Sequence, residues 1–194
     1  MVCVLDLRCS AGINCFPVRD VRFRMQIVES IELPAHALLH RYSVGGGFTD
    51  CYATVLPQAV SHGQFVLAFY TTRLFKLERF LLTYLARRPS TDADAKALAA
   101  GEADRFSAWE VEARAENQLL LSDFRQRTRS WLMVQPDGSD TILYFGSAVV
   151  PVVKAGNGKP SGMGFMFHAL SGFHRVYSVL LLKAAARKLM RLSR

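Results

Sequence analysis

The period of the apolar positions divides the chain. From Arg73 to Arg88, Leu74, Leu77, Leu81 and Leu85 recur at helical spacing, with Phe75, Phe80, Leu82 and Tyr84 widening the face, so a helix is predicted there, ended by Pro89. A shorter helix is predicted from Ser61 to about Tyr70. The Ser61 hydroxyl can accept from the Gln64 amide while Gln64 reaches back to the Ser61 amide. Thr71 or Thr72 can cap the Arg73 helix. A third, Ala-rich helix begins at Thr91 and Asp94, with Asp92 and Asp94 suited to the positive end of its dipole and Gly101 as its stop. From Trp109 the period falls to two: Trp109, Val111, Ala113 and Ala115 alternate with Glu110, Glu112, Arg114 and Glu116, which predicts a half-exposed strand. The Ala and Glu content keeps a helix in competition there. Further strands are predicted over Leu119–Phe124, Thr128–Gln135 and Asp140–Val150, the last two joined by a Pro136-Asp137-Gly138-Ser139 turn. Upstream, Ile27–Leu33 reads as a short strand stopped by Pro34, Thr49–Leu56 is β-favouring, and Gly45-Gly46-Gly47 is a flexible connection.

The strand 140–150 departs from simple alternation. Ile142, Tyr144, Ala148 and Val150 make one face apolar; Leu143, Phe145 and Val149 do the same for the other. Such a strand is covered on both sides by helices, a partner chain or a ligand. After a Gly156-Asn157-Gly158-Lys159-Pro160 loop, a long helix runs from Phe165 or Ser171 to Leu192. Phe173, Tyr177, Leu180, Leu181 and Ala184 form its expected buried stripe; Lys183, Arg187, Arg191 and Arg194 form a basic one. The fold class is therefore α+β: an antiparallel sheet with helices inserted after the first strand and a long C-terminal helix packed on the sheet.

Two segments carry a resemblance. Thr128-Arg-Ser-Trp-Leu-Met-Val134 and Tyr144-Phe-Gly-Ser-Ala-Val-Val-Pro151, within Gln118–Pro151, look like a bacterial family of unknown function associated with the START-like, helix-grip superfamily. The element order resembles that superfamily too, over residues 49–192. The resemblance implies a curved sheet wrapping the final helix around an apolar cavity, and it carries no established catalytic residues.

Charge sharpens the picture of the C-terminal helix. The chain has 24 Lys and Arg against 16 Asp and Glu, a net charge of +8. From Pro151 onward stand Lys154, Lys159, Arg175, Lys183, Arg187, Lys188, Arg191 and Arg194 with no acid, so the whole excess lies in that segment. No uncharged apolar run reaches the roughly 18 residues of a membrane span. Asp6 and Arg8 interrupt what would be the apolar part of a signal peptide. The first 24 residues read poorly as structure, so they are expected to be a disordered arm or an extension upstream of a true start at Met25, with one domain over 25–194. Cys3, Cys9 and Cys15, together with Cys51, lack Cys-x-x-Cys spacing, and reduced thiols in a cytoplasm are expected.

Candidate chemistry is sparse. His36 and His40 stand four apart, but the residues between them are Ala-Leu-Leu, without the glutamate of a zinc protease; His168 and His174 are six apart. No metal or cofactor is expected. Gly45–Gly47 lacks the Gly-Lys-Ser/Thr ending of a phosphate loop. Glu110 and Glu112 continue into Arg114 and Glu116, which reads as a solvated strand face. Arg127, Arg129, Trp131 and Met133 share a strand face. If that face lines a cavity, Arg129 could hold a carboxylate or phosphate while Trp131 and Tyr144 pack an apolar body, with Met133, Tyr52 and Trp109 as further wall candidates. The bland alternative is an Arg extended over a Trp-covered edge.

The function expected from these features is a binding domain for a small apolar or amphipathic molecule. A cyclase- or hydrolase-like enzyme is the first alternative, with Arg129, Tyr144 and Asp123 as weak candidates. A dimeric or peripheral-membrane interaction protein is the second, with Lys183, Arg187, Arg191 and Arg194 meeting an anionic membrane surface. A solvated face is the simplest reading of that stripe, and nucleic acid is disfavoured because no basic–aromatic module is present.

Overall fold

Strands mostly from the second half of the chain build a seven-stranded antiparallel sheet, onto one face of which the helices between residues 62 and 100 and the C-terminal helix fold. The computed structural model describes residues 27–44, 48–87, 89–150 and 165–192; the side chains of 165–173 and of residues 82, 85 and 86 lie outside the description. In chain order the elements are β1 (Glu29–Ser30), α1 (His40–Val44), β2 (Phe48–Leu56), α2 (His62–Tyr70), α3 (Arg73–Ala86), α4 (Asp92–Ala100), β3 (Arg105–Phe106), β4 (Trp109–Ala115), β5 (Gln118–Asp123), β6 (Thr128–Asp137), β7 (Asp140–Val149) and α5 (Phe165–Leu192). The strands lie in the order β1-β2-β7-β6-β5-β4-β3. β2, which precedes the helical insertion, thus returns to pair with the last strand, with Thr54 opposite Leu143 and Phe48 opposite Val149.

The local signals act as expected. Ser61 and Gln64 form a reciprocal cap on α2, and Thr91 and Asp94 do the same on α4. Thr72 accepts from the Phe75 amide at 3.1 Å and so starts α3. Gly101 closes α4 at φ +80°, a left-handed geometry that costs glycine little. Gly138, at φ +62°, makes the tight turn between β6 and β7, which pair out to Asp137 and Asp140.

β7 is covered on both faces. On the helix side, Leu143 and Phe145 join Phe65, Phe69, Tyr70, Phe75 and Leu182 in the larger core, where Phe69 meets Phe145 at 4.8 Å between ring centroids. Each such large apolar side chain contributes about 2–3 kcal/mol when fully buried. On the other side, Ile142, Tyr144 and Ala148 join Trp131, Met133 and Leu120 beneath residues 31–44, of which Ala37 and Leu39 are buried. Gln118 fastens that segment. Its Oε1 accepts from the Leu38 amide and from Trp131 Nε1, each at 2.9 Å, and its Nε2 donates to the His36 carbonyl at 3.2 Å. Trp131 can be wholly buried because its one polar atom is satisfied there.

Three expectations are corrected. The segment 27–33 pairs only at Glu29 and Ser30, because Ile31 and Leu33 turn onto the second core. Glu112 does not lie on a solvated face. A bulge between Val111 and Ala113 breaks the alternation, and the Glu112 carboxylate is taken up by Arg129 and Tyr42 on the second-core face. The buried stripe of α5 is Ser178, Leu181, Leu182, Ala185, Ala186 and Leu189, whereas Leu180 is 49% exposed and Ala184 half-buried. α5 packs on α2, with the small Ala185 and Ala186 buried in the larger core. The arm 1–24, the loops 45–47 and 156–160, Phe173 as a packed side chain, and Arg194 lie outside the described residues.

Candidate functional site

The helix face of the sheet is not filled evenly. α3 and α5 stand apart over the ends of β6 and β7 and leave a groove of about 710 Å³. Its floor and walls are Phe69, Phe75, Phe145, Leu74, Trp109 and Leu181; its lips are Leu77 and Leu81 from α3 and Val176 and Leu180 from α5. Groove volumes of this order hold small organic ligands.

Two polar groupings interrupt the apolar lining. On the wall between the helices, the Tyr177 hydroxyl donates to Glu78 Oε2. Burial raises the Glu78 carboxyl above its ordinary range, opposed in part by that hydrogen bond. The Tyr177 phenol is also raised, first by burial and then by the nearby Glu78 charge. Both groups hold their protons more tightly than in water, and the phenol proton is held by Glu78, which leaves one polar pair within an apolar wall.

The second grouping lies where β2 and β7 meet the start of α5. Ser147 Oγ donates to Asp50 Oδ1 at 2.6 Å and lies 2.7 Å from His174 Nε2. The Ser147 amide also donates to Asp50 Oδ1, and the Tyr52 hydroxyl to Asp50 Oδ2. A serine hydroxyl has one proton, here held by the carboxylate, so its oxygen accepts from a proton on His174 Nε2. This is not the order of a nucleophilic triad. There the carboxylate holds the far nitrogen of the imidazole and the serine faces substrate; here Asp50 engages the serine itself and lies 3.7 Å from the same His174 nitrogen. The grouping can receive a ligand's polar end at its half-exposed imidazole. Burial, with Asp50 as a second cause, raises the Tyr52 phenol and keeps it a donor. On the other side of Asp50 and Tyr52 lies a more open depression of about 690 Å³, bordered by His40, Glu32 and Arg175.

The sequence candidates separate between the two faces. Tyr52 and Trp109 lie on the helix face, Trp109 in the groove wall with a buried indole N–H that has no partner among the described residues. Trp131, Met133 and Tyr144 are buried on the opposite face. Arg129 borders the groove along β6, but its guanidinium engages Glu112, Tyr42 and Gln126 on the opposite face. These six residues do not line one cavity. His36 precedes α1 and His40 begins it, so the two do not share a helix face. Among the described residues no group of three or more His, Cys, Asp or Glu could hold a metal ion, and no helix is long and apolar enough to cross a membrane. Lys183 is half-buried on α5, and Arg187 and Arg191 are exposed.

Sequence reasoning gave no role to Glu78, Asp50 or Ser147, read Tyr177 only as part of a buried stripe and weighed His174 only as a metal ligand. Their signals were faint: a single acid in the apolar and basic run of α3, and a serine inside the apolar β7. The chain matches no protein-family model, no curated protein sequence and no solved structure.

Proposed function

We propose that this protein binds a small amphipathic molecule in the groove between α3, α5 and the sheet, in the manner of a START-like, helix-grip domain. The observation that carries the reading is the apolar groove of about 710 Å³ bordered by two polar groupings, Glu78–Tyr177 and Ser147–His174. The apolar body of the ligand packs on Phe69, Phe75 and Phe145, and its polar end meets one grouping or the other. The sheet order, with the strand before the helical insertion paired to the last strand, supports the same reading. The test is displacement of a solvatochromic apolar dye by a panel of fatty acids, sterols and polyketide-like aromatics, together with native mass spectrometry of the freshly purified chain. Leu74→Trp, which narrows the groove, is expected to abolish dye binding with little change in melting temperature. Undiminished binding by this variant would place the ligand elsewhere.

A cyclase- or hydrolase-like activity is the second reading, favoured by the Glu78–Tyr177 pair in an apolar wall. A carboxyl whose hold on its proton is strengthened by burial is suited to general-acid work. On that reading Glu78→Gln retains the ligand but loses turnover; equal turnover by Glu78→Gln refutes it.

A further inference from the structure

The mouth of the groove has properties that ligand binding does not require. Phe80 and Tyr84, which do not line it, are 56% and 71% exposed and pack on each other with ring centroids 4.6 Å apart. They extend the stripe begun by Leu77 and Leu81, so α3 presents positions 77, 80, 81 and 84 to solvent along one face. Facing them across the groove, α5 exposes Val176 and Leu180, and at the same helical spacing continues into Lys183, Arg187 and Arg191. The charge is one-sided. α5 contains no acid, and the single acid of α3, Glu78, is turned into the groove wall against Tyr177.

From this juxtaposition we infer that the α3–α5 face docks on an anionic lipid bilayer, with the apolar and aromatic residues entering the interface and Lys183, Arg187 and Arg191 meeting lipid headgroups. Exposed aromatic and aliphatic side chains beside a cationic stripe are the combination that binds the headgroup boundary. A second copy of the chain would bring the same cations together, which opposes a symmetric dimer through this face. In the docked state the groove mouth faces the lipid, so an amphipathic ligand can pass between bilayer and groove without crossing water; only this last consequence rests on the groove reading.

The experiment is flotation of the full chain with phosphatidylcholine vesicles, with and without phosphatidylglycerol, at low and high salt. The ligand-free protein is expected to float with the anionic vesicles at low salt, and to lose that binding at high salt or with phosphatidylcholine alone. Arg187→Ala with Arg191→Ala is expected to lower the partition coefficient about 25-fold, at about fivefold per cation. Phe80→Glu with Tyr84→Glu is expected to abolish flotation while leaving circular dichroism and dye binding unchanged, since neither side chain is in the core or the groove. Leu74→Trp is expected to float normally, which separates docking from ligand binding. Three outcomes would overturn the inference: no flotation with anionic vesicles at low salt, undiminished flotation of the Phe80/Tyr84 variant, or a dimer in sedimentation that this variant dissolves while neither protein floats.

Discussion

The guanidinium of Arg129 is paired with the carboxylate of Glu112, which stands at a β-bulge in β4. The Tyr42 hydroxyl joins them: it accepts from Arg129 Nε at 2.8 Å and donates to Glu112 Oε1, while its ring lies beneath the guanidinium. Three segments far apart in sequence are thereby held together, and the covering segment 31–44 is fixed to the sheet. Arg129 and Glu112 side chains are only 8% and 20% exposed, so removing one partner leaves a largely buried charge. Arg129→Ala is expected to cost about 3 kcal/mol in urea denaturation. Arg129→Ala combined with Glu112→Ala is expected to recover part of that loss, and dye binding in the groove is expected to persist in both. A loss of dye binding with unchanged stability would show that Arg129 serves the groove instead.

Gly146 provides a test of the second core. A Cβ built there would lie 2.9 Å from the Asp50 carbonyl oxygen and 3.0 Å from both Leu39 Cδ2 and Trp131 Cε3. The carbonyl belongs to the paired strand β2 and the indole is fully buried, so neither can yield cheaply. Gly146→Ala is expected to destabilise the fold by about 2 kcal/mol, measured by chemical denaturation, through overpacking. Leu39→Ala in the same chain is expected to relieve part of the clash.

What was legible in the sequence follows from the range of each interaction. The caps of α2 and α4 depend on residues three apart, and the β6–β7 turn on Gly138, so both could be read locally. The two-sided cover of β7 was legible from composition alone, but the identity of the second cover was not. Residues 31–44 carry no period, and their anchors, Leu38 to Gln118 and Tyr42 to Arg129, join positions 80 and 87 residues apart. The Glu112 bulge is hidden for the same reason: a strict alternation in sequence gives no sign of the residue that a partner elsewhere will pull out of register. In α5 the run Leu180-Leu181-Leu182 satisfies several helical rotations, and contact with α2 decides among them. An apolar cavity was expected from the resemblance alone, but the lining of the groove was beyond reach because it is a gap between two helices that only the spacing of α3 from α5 opens.

Glu78 gives a pH dependence whose sign is fixed. Its carboxyl is raised in the folded protein, chiefly by burial, from an ordinary value of 4.5. The folded state therefore holds the proton more tightly than the unfolded state, and stability falls as pH rises from about 4.5 through the raised folded value. Above that window the cost is fully present. Glu78→Gln is expected to remove this part of the pH dependence and to raise the melting temperature at neutral pH relative to the parent. A melting temperature for Glu78→Gln that tracks the parent across the whole pH range would mean that the carboxyl is solvated rather than held in the groove wall.

Cys51 reports on the integrity of the second core. It is 2% exposed on β2, and burial, with Asp50 as a second cause, pushes its thiol up to about 12. At pH 8 the thiolate fraction of such a group is about one part in ten thousand, and the sulfur is also out of reach of reagent. Iodoacetamide is therefore expected to leave Cys51 unmodified in the native protein, as read by peptide mapping, and to modify it once denaturant is added. Labelling must then proceed through opening of the segment 31–44 or of the whole domain, so its rate measures the population of open molecules. Arg129→Ala, which frees that segment, is expected to accelerate labelling of Cys51 by up to the factor of about 140 that corresponds to 3 kcal/mol. Acceleration by Gly146→Ala but not by Arg129→Ala would show that the Arg129–Glu112 pair does not hold the cover in place.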